Sequence, residues 1–168
     1  MVMEVTRMKW VTADHHFGHE NIIAYEQRPF RDAGEMDATM AARWNEVVHP
    51  GDTVYHLGDF ALANKEYTRQ LVQKLNGRKV LVKGNHDGSV DRMLECGFDE
   101  VHDRPIVVYD YQNEVCLLLS HSPILKIRTV NVSVENWNYY PIPLPTPRGW
   151  TQLSGHVHRR YIATIGGF

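Results

Sequence analysis

The pattern of apolar and polar positions changes several times along the first hundred residues, and each change predicts a different element. Short β-branched and apolar runs predict strands over residues 9–13, 53–57 and 79–82. Apolar positions at helical spacing predict helices over residues 19–27, 35–48 and 66–75, with a short helix over 90–96. Proline and glycine close these segments at Pro29, Pro50, Gly77 and Gly97. This part of the chain is therefore expected to alternate strand and helix.

The pattern after residue 100 is richer in strand residues and proline. Residues 106–111 and 114–120 predict a β-hairpin around Gln112-Asn113, and a last strand is expected near 151–153. Residues 122–150 should be mostly irregular because they contain five prolines, with a short strand over 129–134 as an option. We find no internal repeat or linker, so a single domain is expected over residues 1–168.

Composition narrows the class of protein. No apolar run approaches the roughly 20 residues that cross a bilayer, and the N-terminus lacks the basic-then-apolar layout of a secretory signal. Two cysteines, Cys96 and Cys116, are too few for a disulfide framework. These features predict a reduced, cytoplasmic protein without membrane contact.

The charge distribution is uneven although the net charge is only −2. Residues 1–103 contain twelve Lys/Arg and seventeen Asp/Glu, whereas residues 104–168 contain six and three. An acidic half beside a basic half suits a site that holds cations and admits an anionic substrate, but chance placement of solvated charges explains it equally well. Ten histidines in 168 residues are many, and histidine is the commonest side-chain metal ligand.

Five short polar motifs follow predicted strands. They are Asp14-x-His16, Gly58-Asp59, Gly84-Asn85-His86-Asp87, His121 and Gly155-His156-Val157-His158. Each is weak alone, since a glycine-aspartate pair is also a common turn and a lone histidine is more often structural. Because the ligand crevice of open α/β folds lies at the carboxyl ends of the strands, the five motifs are expected to converge at one edge.

Together the motifs resemble the calcineurin-like metallophosphoesterase family, whose pattern is D-x-H, G-D, G-N-H-[DE], H and G-H-x-H. All five occur in order over residues 14–158. Residues 17–23 and 28–30 are also similar to a small bacterial and phage-type subgroup of predicted phosphoesterases. The resemblance implies an α/β fold with α+β layering: a central two-sheet β-sandwich flanked by helices, with the metal site at the C-terminal ends of the strands. A phage-encoded member would act in the host cytoplasm.

The resemblance also implies seven ligands for two divalent metal ions: Asp14, His16 and His158 for the first, Asn85, His121 and His156 for the second, and Asp59 shared. Two close cations need a shared anionic ligand to reduce their repulsion. Imidazoles and an amide then complete the shells without excess negative charge. Manganese is the expected metal, and Fe, Zn and Ni suit the same donors.

The implied reaction is in-line attack of a metal-bridging hydroxide on phosphorus, with departure of the ester oxygen. His86 would stabilise phosphoryl charge or protonate the leaving oxygen, and Asp87 would orient its imidazole or, equally, serve as a turn residue. His19 and Arg28 are candidate substrate contacts. A position behind the metal ligands, or an exposed one, is as plausible for His19, and a solvated surface position is favoured for any single arginine.

We therefore expect a metal-dependent phosphoric ester hydrolase acting on a small phosphorylated substrate, a nucleotide or other phosphodiester, with diesters favoured over monoesters. The alternative is a nuclease or nucleic-acid end-processing enzyme, which the lack of a strong basic run disfavours. A non-catalytic metal-binding scaffold is less favoured because Asp59 and His86 are both present. The oligomeric state is not indicated.

A separate hypothesis concerns the proline-rich residues 122–150. They would cross the mouth of the site, where Trp137, Tyr139 or Tyr140 stacks on a base or closes over the substrate. A surface loop that buries these rings as packing is the equal alternative.

Overall fold

A computed structural model describes residues 7–110, 115–122, 149–156 and 164–167. Its strands form two four-stranded sheets. The first sheet is entirely parallel and consists of β1 (Lys9–Thr12), β2 (Thr53–His56), β3 (Arg78–Val82) and β4 (Glu100–His102). The second consists of β5 (Ile106–Asp110), β6 (Val115–Ser120), β7 (Gly149–Ser154) and β8 (Thr164–Gly167), in that order. Its central pair β6 and β7 is parallel, and both outer pairs are antiparallel.

Helices occupy the crossovers that parallel strands require. They are α1 (Glu20–Tyr25) and α2 (Ala33–Val47) between β1 and β2, α3 (Lys65–Lys74) before β3, and α4 (Val90–Glu95) before β4. Three begin at a capping side chain that accepts a backbone N–H three residues on: Asp32, Asn64 and Ser89. Within the described residues no helix is both long and apolar enough to cross a membrane.

The first sheet is buried on both faces. On one face Val54 and Leu81 pack with residues from the helical segments, including Trp44, Leu71 and Met93. On the other face Tyr55, Leu57 and Val82 pack against the second sheet. Their cluster there includes Val108, Leu119 and Leu153. Successive strand residues point to opposite faces. The layers are therefore helices, parallel sheet and mixed sheet.

The predicted mixed α/β fold with two sheets and helices is confirmed. The hairpin partners β5 and β6 are antiparallel as expected. Strand β4 was missed because Glu100-Val101-His102 has a single apolar residue and no alternation, and β8 was also missed. The predicted turn at 112–113, the optional strand over 129–134 and the aromatic residues at 137, 139 and 140 lie outside the described residues.

Candidate metal centre

The described motif residues lie just beyond the last residues of five strands. Asp14 follows β1, Asp59 follows β2, Asn85 follows β3, His121 follows β6 and His156 follows β7. Because β1, β2 and β3 are parallel, and β6 and β7 are parallel, their carboxyl ends bring these side chains to one edge of the fold. The remaining predicted ligand, His158, lies outside the described residues.

Two groups of potential ligands share Asp59. Ligand atoms of Asp14, His16 and Asp59 lie within 4.8 Å of one another, and those of Asp59, His121 and His156 do the same. We call these the first and second half-sites, and Asn85 adjoins the second. Oδ2 of Asp59 is 3.6 Å from Nε2 of His16 and 3.5 Å from Nε2 of His121. One buried carboxylate therefore stands between two imidazoles that belong to different half-sites.

The hydrogen bonds of His121 define how its ring is used. Nδ1 lies 2.8 Å from the carbonyl oxygen of Leu57 and must donate to it, so Nε2 carries the lone pair of the neutral ring. That Nε2 lies 3.0 Å from Oδ1 of Asn85 and 3.1 Å from Nδ1 of His156. An imidazole nitrogen and an amide oxygen thus both lie within hydrogen-bond distance of Nε2 of His121. A single proton at this nitrogen would satisfy only one of its two contacts. A divalent cation that accepts mixed N/O ligands fits this donor set.

Backbone strain coincides with the candidate ligands. Asp14, His16, Asp59 and His156 have φ of 57°, 55°, 54° and 67°, in the left-handed region that non-glycine residues rarely adopt. This conformation costs roughly 1–2 kcal/mol per residue. Gln27 is the one further non-glycine residue with positive φ in the described part of the chain. Four of five such positions are candidate ligands, and strain of this kind concentrates at functional sites.

Three motif positions require glycine because a candidate ligand from another motif lies directly against the backbone there. A Cβ at Gly155 would lie 2.6 Å from Oδ2 of Asp14, and a Cβ at Gly84 would collide with the Asp59 carboxylate. A Cβ at Gly58, whose φ is 89°, would lie 2.6 Å from Nδ1 of His121. At Gly84 the close approach of the Asp59 carboxylate leaves no room for a side chain.

Backbone hydrogen bonds join the motif loops to one another. The N–H groups of Asp14 and His16 donate to the carbonyls of Gly58 and Asp59, both at 3.0 Å. The carboxylate of Asp14 accepts the N–H of His156 at 3.0 and 2.9 Å, across 142 residues of sequence. The ligand loops therefore form one connected unit.

His86 lies at the open rim of the site. Its side chain is 42% exposed, its N–H donates to Oδ1 of Asp59 at 2.9 Å, and its Nε2 is 4.0 Å from Oδ2. The rings of His16 and His19 are centred 5.4 and 6.5 Å away. The pKa of His19 is lowered, first by desolvation and then by His86 and Arg28. The structure thus places both predicted substrate-facing histidines beside the first half-site.

Asp87 has a different set of contacts from those expected. Its carboxylate accepts the N–H groups of Asp59, Phe60 and Gly84 at 2.8, 2.9 and 2.8 Å. Burial raises its pKa, and these three hydrogen bonds act in the opposite direction. The imidazole of His86 is not among its hydrogen-bond partners in the described structure. Asp87 holds the Asp59 loop against the Gly84 loop, which is closer to the predicted turn role than to the predicted orienting role.

Arg28 also departs from its expected position. Its guanidinium donates to the carbonyl oxygens of His15 at 2.6 Å and Asp14 at 2.8 Å, whereas the sequence suggested a substrate contact or a solvated position. Desolvation lowers its pKa, while nearby carboxylates, Glu26 and Asp14 among them, act in the opposite direction. The side chain therefore contacts the main chain of the first half-site.

Comparison with known proteins places this chain in a family. No family model matches the chain. The uncharacterized protein MJ1445 of Methanocaldococcus jannaschii is 36% identical over 155 residues, which cover 82% of this chain and 88% of that protein. The chain belongs to the MJ1445 family. The Gene 66 protein of Mycobacterium phage L5 is 30% identical and that of phage D29 is 28% identical, over 83% and 79% of their lengths and 91% of this chain.

A solved structure similar to this MJ1445-family chain is that of the protein of unknown function AQ665 from Aquifex aeolicus. It is 31% identical, with a TM-score of 0.60, and the match covers 79% of this chain and 69% of that one. The names of these relatives state no activity, so the geometry carries the functional argument.

Two histidines in the MJ1445-family chain form a contact that sequence reasoning missed. Nδ1 of His15 lies 2.9 Å from Nε2 of His56, and the His15 ring stacks on Phe17 with centroids 5.0 Å apart. Desolvation, followed by the charge of Arg28, lowers the pKa of His15 to about 3. Desolvation also holds the pKa of His56 well below its usual value, so the pair is neutral and supports the loop that carries Asp14 and His16. Its only sequence signal was the position of each histidine near a strand end.

Proposed function

We propose that this MJ1445-family protein is a dinuclear-metal phosphoesterase of the calcineurin-like type, which hydrolyses a small phosphodiester or nucleotide. The position of Asp59 carries the proposal. Its Oδ2 lies 3.6 Å from one half-site imidazole and 3.5 Å from the other. A single carboxylate in this position suits two cations about 3.5–4 Å apart, the separation common in two-metal hydrolytic sites.

The donor types support divalent transition metals. The first half-site offers Asp14 and His16, and the second offers Asn85, His121 and His156. His158 would join the first half-site. When bound, the two ions would supply an activated water and neutralise phosphoryl charge. Manganese is the proposed metal, although Fe, Zn and Ni accept the same mixture of nitrogen and oxygen ligands.

The chain itself would position the reacting groups. The N–H of His86 holds Oδ1 of Asp59, which leaves Oδ2 directed toward the two half-sites. The exposed His86 imidazole would then stabilise phosphoryl charge or protonate the leaving oxygen. His19 lies on the same rim and would present a second imidazole to the anionic substrate. We assign Asp87 to holding the loops together rather than to orienting the His86 imidazole.

A nuclease or end-processing activity is the alternative, and the lack of a strong basic run disfavours it. We propose a cytoplasmic protein, since Cys96 and Cys116 are both free and buried. The match to phage proteins also suits the host cytoplasm.

The test is hydrolysis by protein of measured metal content. Bis(p-nitrophenyl) phosphate and p-nitrophenyl phosphate would be compared with added Mn²⁺, with and without a chelator, followed by nucleotides, cyclic nucleotides and oligonucleotides. We expect metal-dependent turnover that favours the diester. Activity confined to oligonucleotides would support the nuclease alternative. No turnover of any of these by protein that holds two ions would contradict the enzyme proposal and favour a metal-binding scaffold.

A further inference from the structure

We propose that Arg28 is a positioning residue for the first half-site, because it holds the Asp14-His15-His16 backbone in the conformation that directs Asp14 and His16 toward Asp59. This inference rests on the metal-binding part of the proposed function. It assigns Arg28 to the metal centre rather than to the substrate, and it makes the two half-sites separable by mutation.

The contacts of Arg28 are with two consecutive peptide groups. Nη1 donates to the carbonyl of His15 at 2.6 Å and Nη2 to that of Asp14 at 2.8 Å. A guanidinium has a rigid planar fork, so both bonds form only if the two carbonyls face the same way. Asp14 and His16, with φ of 57° and 55°, are in the left-handed conformation on either side of this pair. The guanidinium therefore stabilises the strained backbone conformation of the Asp14-His15-His16 loop.

The local structure around Arg28 fits this purpose. The guanidinium is partly desolvated and lies against the sulfur atoms of Met36 and Met40, at 3.4 and 3.9 Å. Its two shortest hydrogen bonds go to main-chain carbonyls, while the carboxylates of Glu26, Asp14 and Asp37 attract its charge. Gln27, immediately before it, has φ of 48°, the one left-handed non-glycine residue that is not a candidate ligand. The strained turn after α1 thus delivers Arg28 to the loop.

The second half-site has independent supports. His121 is held by the carbonyl of Leu57 and lies against Asn85, at 2.8 and 3.0 Å. The half-sites are linked by the shared Asp59, whose carbonyl accepts the N–H of His16, and by the Asp14 carboxylate, which accepts the N–H of His156. Loss of Arg28 should consequently weaken the first half-site much more than the second.

The experiment is a Mn²⁺ titration of metal-free protein by calorimetry, with EPR to distinguish a coupled ion pair from a single ion. Arg28→Ala and Arg28→Lys would be compared with the wild type, and Asp14→Ala and His121→Ala would mark the loss of each half-site. Arg31→Ala is the matched control, since Arg31 is exposed and pairs with Glu35.

We expect Arg28→Ala to bind one ion, as Asp14→Ala does, with the coupled EPR signal replaced by that of a single ion. Arg28→Lys should bind two ions, with the ion of the first half-site held at least about tenfold more weakly than in the wild type. Loss of a group that orients ligands commonly costs 10–100-fold in metal affinity. Arg31→Ala should match the wild type. If Arg28→Ala fails to fold, the Arg28→Lys titration decides.

Two ions bound to Arg28→Ala at wild-type affinity would overturn the inference, as would equal weakening of both ions. A raised KM in Arg28→Lys with unchanged metal binding would restore the substrate role expected from the sequence. A wild-type protein that binds no ion would contradict the proposed function itself. Two ions bound without turnover would leave the positioning role standing.

Discussion

The backbone N–H of His86 donates to Oδ1 of Asp59 at 2.9 Å, while the imidazole of His86 lies at the open rim with Nε2 4.0 Å from Oδ2 of the same carboxylate. One residue therefore serves the site in two ways. Its main chain fixes the shared carboxylate, and its side chain is exposed beside that carboxylate.

His86→Ala separates these two roles because it removes the imidazole and keeps the N–H. We expect metal content to stay at the wild-type value while kcat falls by about 10²–10⁴-fold, the usual contribution of a positioned acid or base. Metal analysis and diester hydrolysis measure the two effects. His102→Ala is the control, since its ring contacts Glu100 and belongs to neither half-site. Loss of metal in His86→Ala would show that the imidazole is itself a ligand.

Asp59→Asn should lower the occupancy of both half-sites together. The substitution removes the negative charge that lies within 3.6 Å of His16 and 3.5 Å of His121, so the repulsion between two bound cations is no longer reduced. Metal analysis after dialysis against Mn²⁺ measures the change, and activity should fall in parallel. Asp91→Asn, at an exposed helix position, is the control and should bind metal normally. Retention of two tightly bound ions in Asp59→Asn would exclude a bridging role.

Gly155→Ala tests whether the close approach of motifs matters for metal binding. The added Cβ would lie 2.6 Å from Oδ2 of Asp14 and 2.7 Å from Cβ of Ala13, so the Asp14 loop and the Gly155 loop must move apart. We expect the ion of the first half-site to bind at least about tenfold more weakly than in the wild type. This effect is comparable to that of losing a group that orients a ligand. Gly51→Ala is the control because a Cβ there meets only ordinary contact with Arg7 at 4.0 Å. Equal metal affinities in the two variants would argue against the packing explanation.

Acid sensitivity should depend on Asp52, which ties β1 to the loop before β2. Its carboxylate accepts the N–H groups of Met8 and His49, both at 2.9 Å, and Nε1 of Trp10 at 3.1 Å. These hydrogen bonds hold its pKa below the usual value, so the folded state binds this proton less readily than the unfolded chain. The stabilisation is complete above the unfolded pKa of about 3.9 and is lost as the pH falls through the folded pKa.

Urea unfolding of metal-free protein measures this effect. We expect Asp52→Asn to lower the free energy of unfolding at pH 7, with the difference from wild type shrinking below about pH 4. Asp91→Asn serves again as the exposed control. A difference that is the same at pH 7 and pH 3 would mean that hydrogen-bond geometry rather than the carboxylate charge accounts for it.

Much of the fold could be predicted from local patterns, whereas the candidate ligand set was implied by the family resemblance of the five motifs taken together. The run Thr53–His56 followed by Gly58-Asp59 predicts a strand whose end carries a carboxylate, and the structure places Asp59 just beyond β2. Parallel strands place their carboxyl ends at one edge, so the order of motifs was enough to bring Asp14, Asp59 and Asn85 together. Strand β4 escaped because Glu100-Val101-His102 has too little apolar pattern to distinguish it from a loop.

The tertiary structure alone decided which group each donor or acceptor contacts. Asp87 was expected to orient His86 or to serve as a turn residue, and it accepts N–H groups from its own motif at Gly84 and from the loop after β2. Arg28 was expected at the substrate or on the solvated surface, and it donates to the carbonyls of Asp14 and His15. A sequence names a side chain and its charge, which are local properties. Its partner depends on the register of neighbouring strands and on the direction of each backbone group, and the left-handed residues at Asp14 and His16 set that direction in three dimensions.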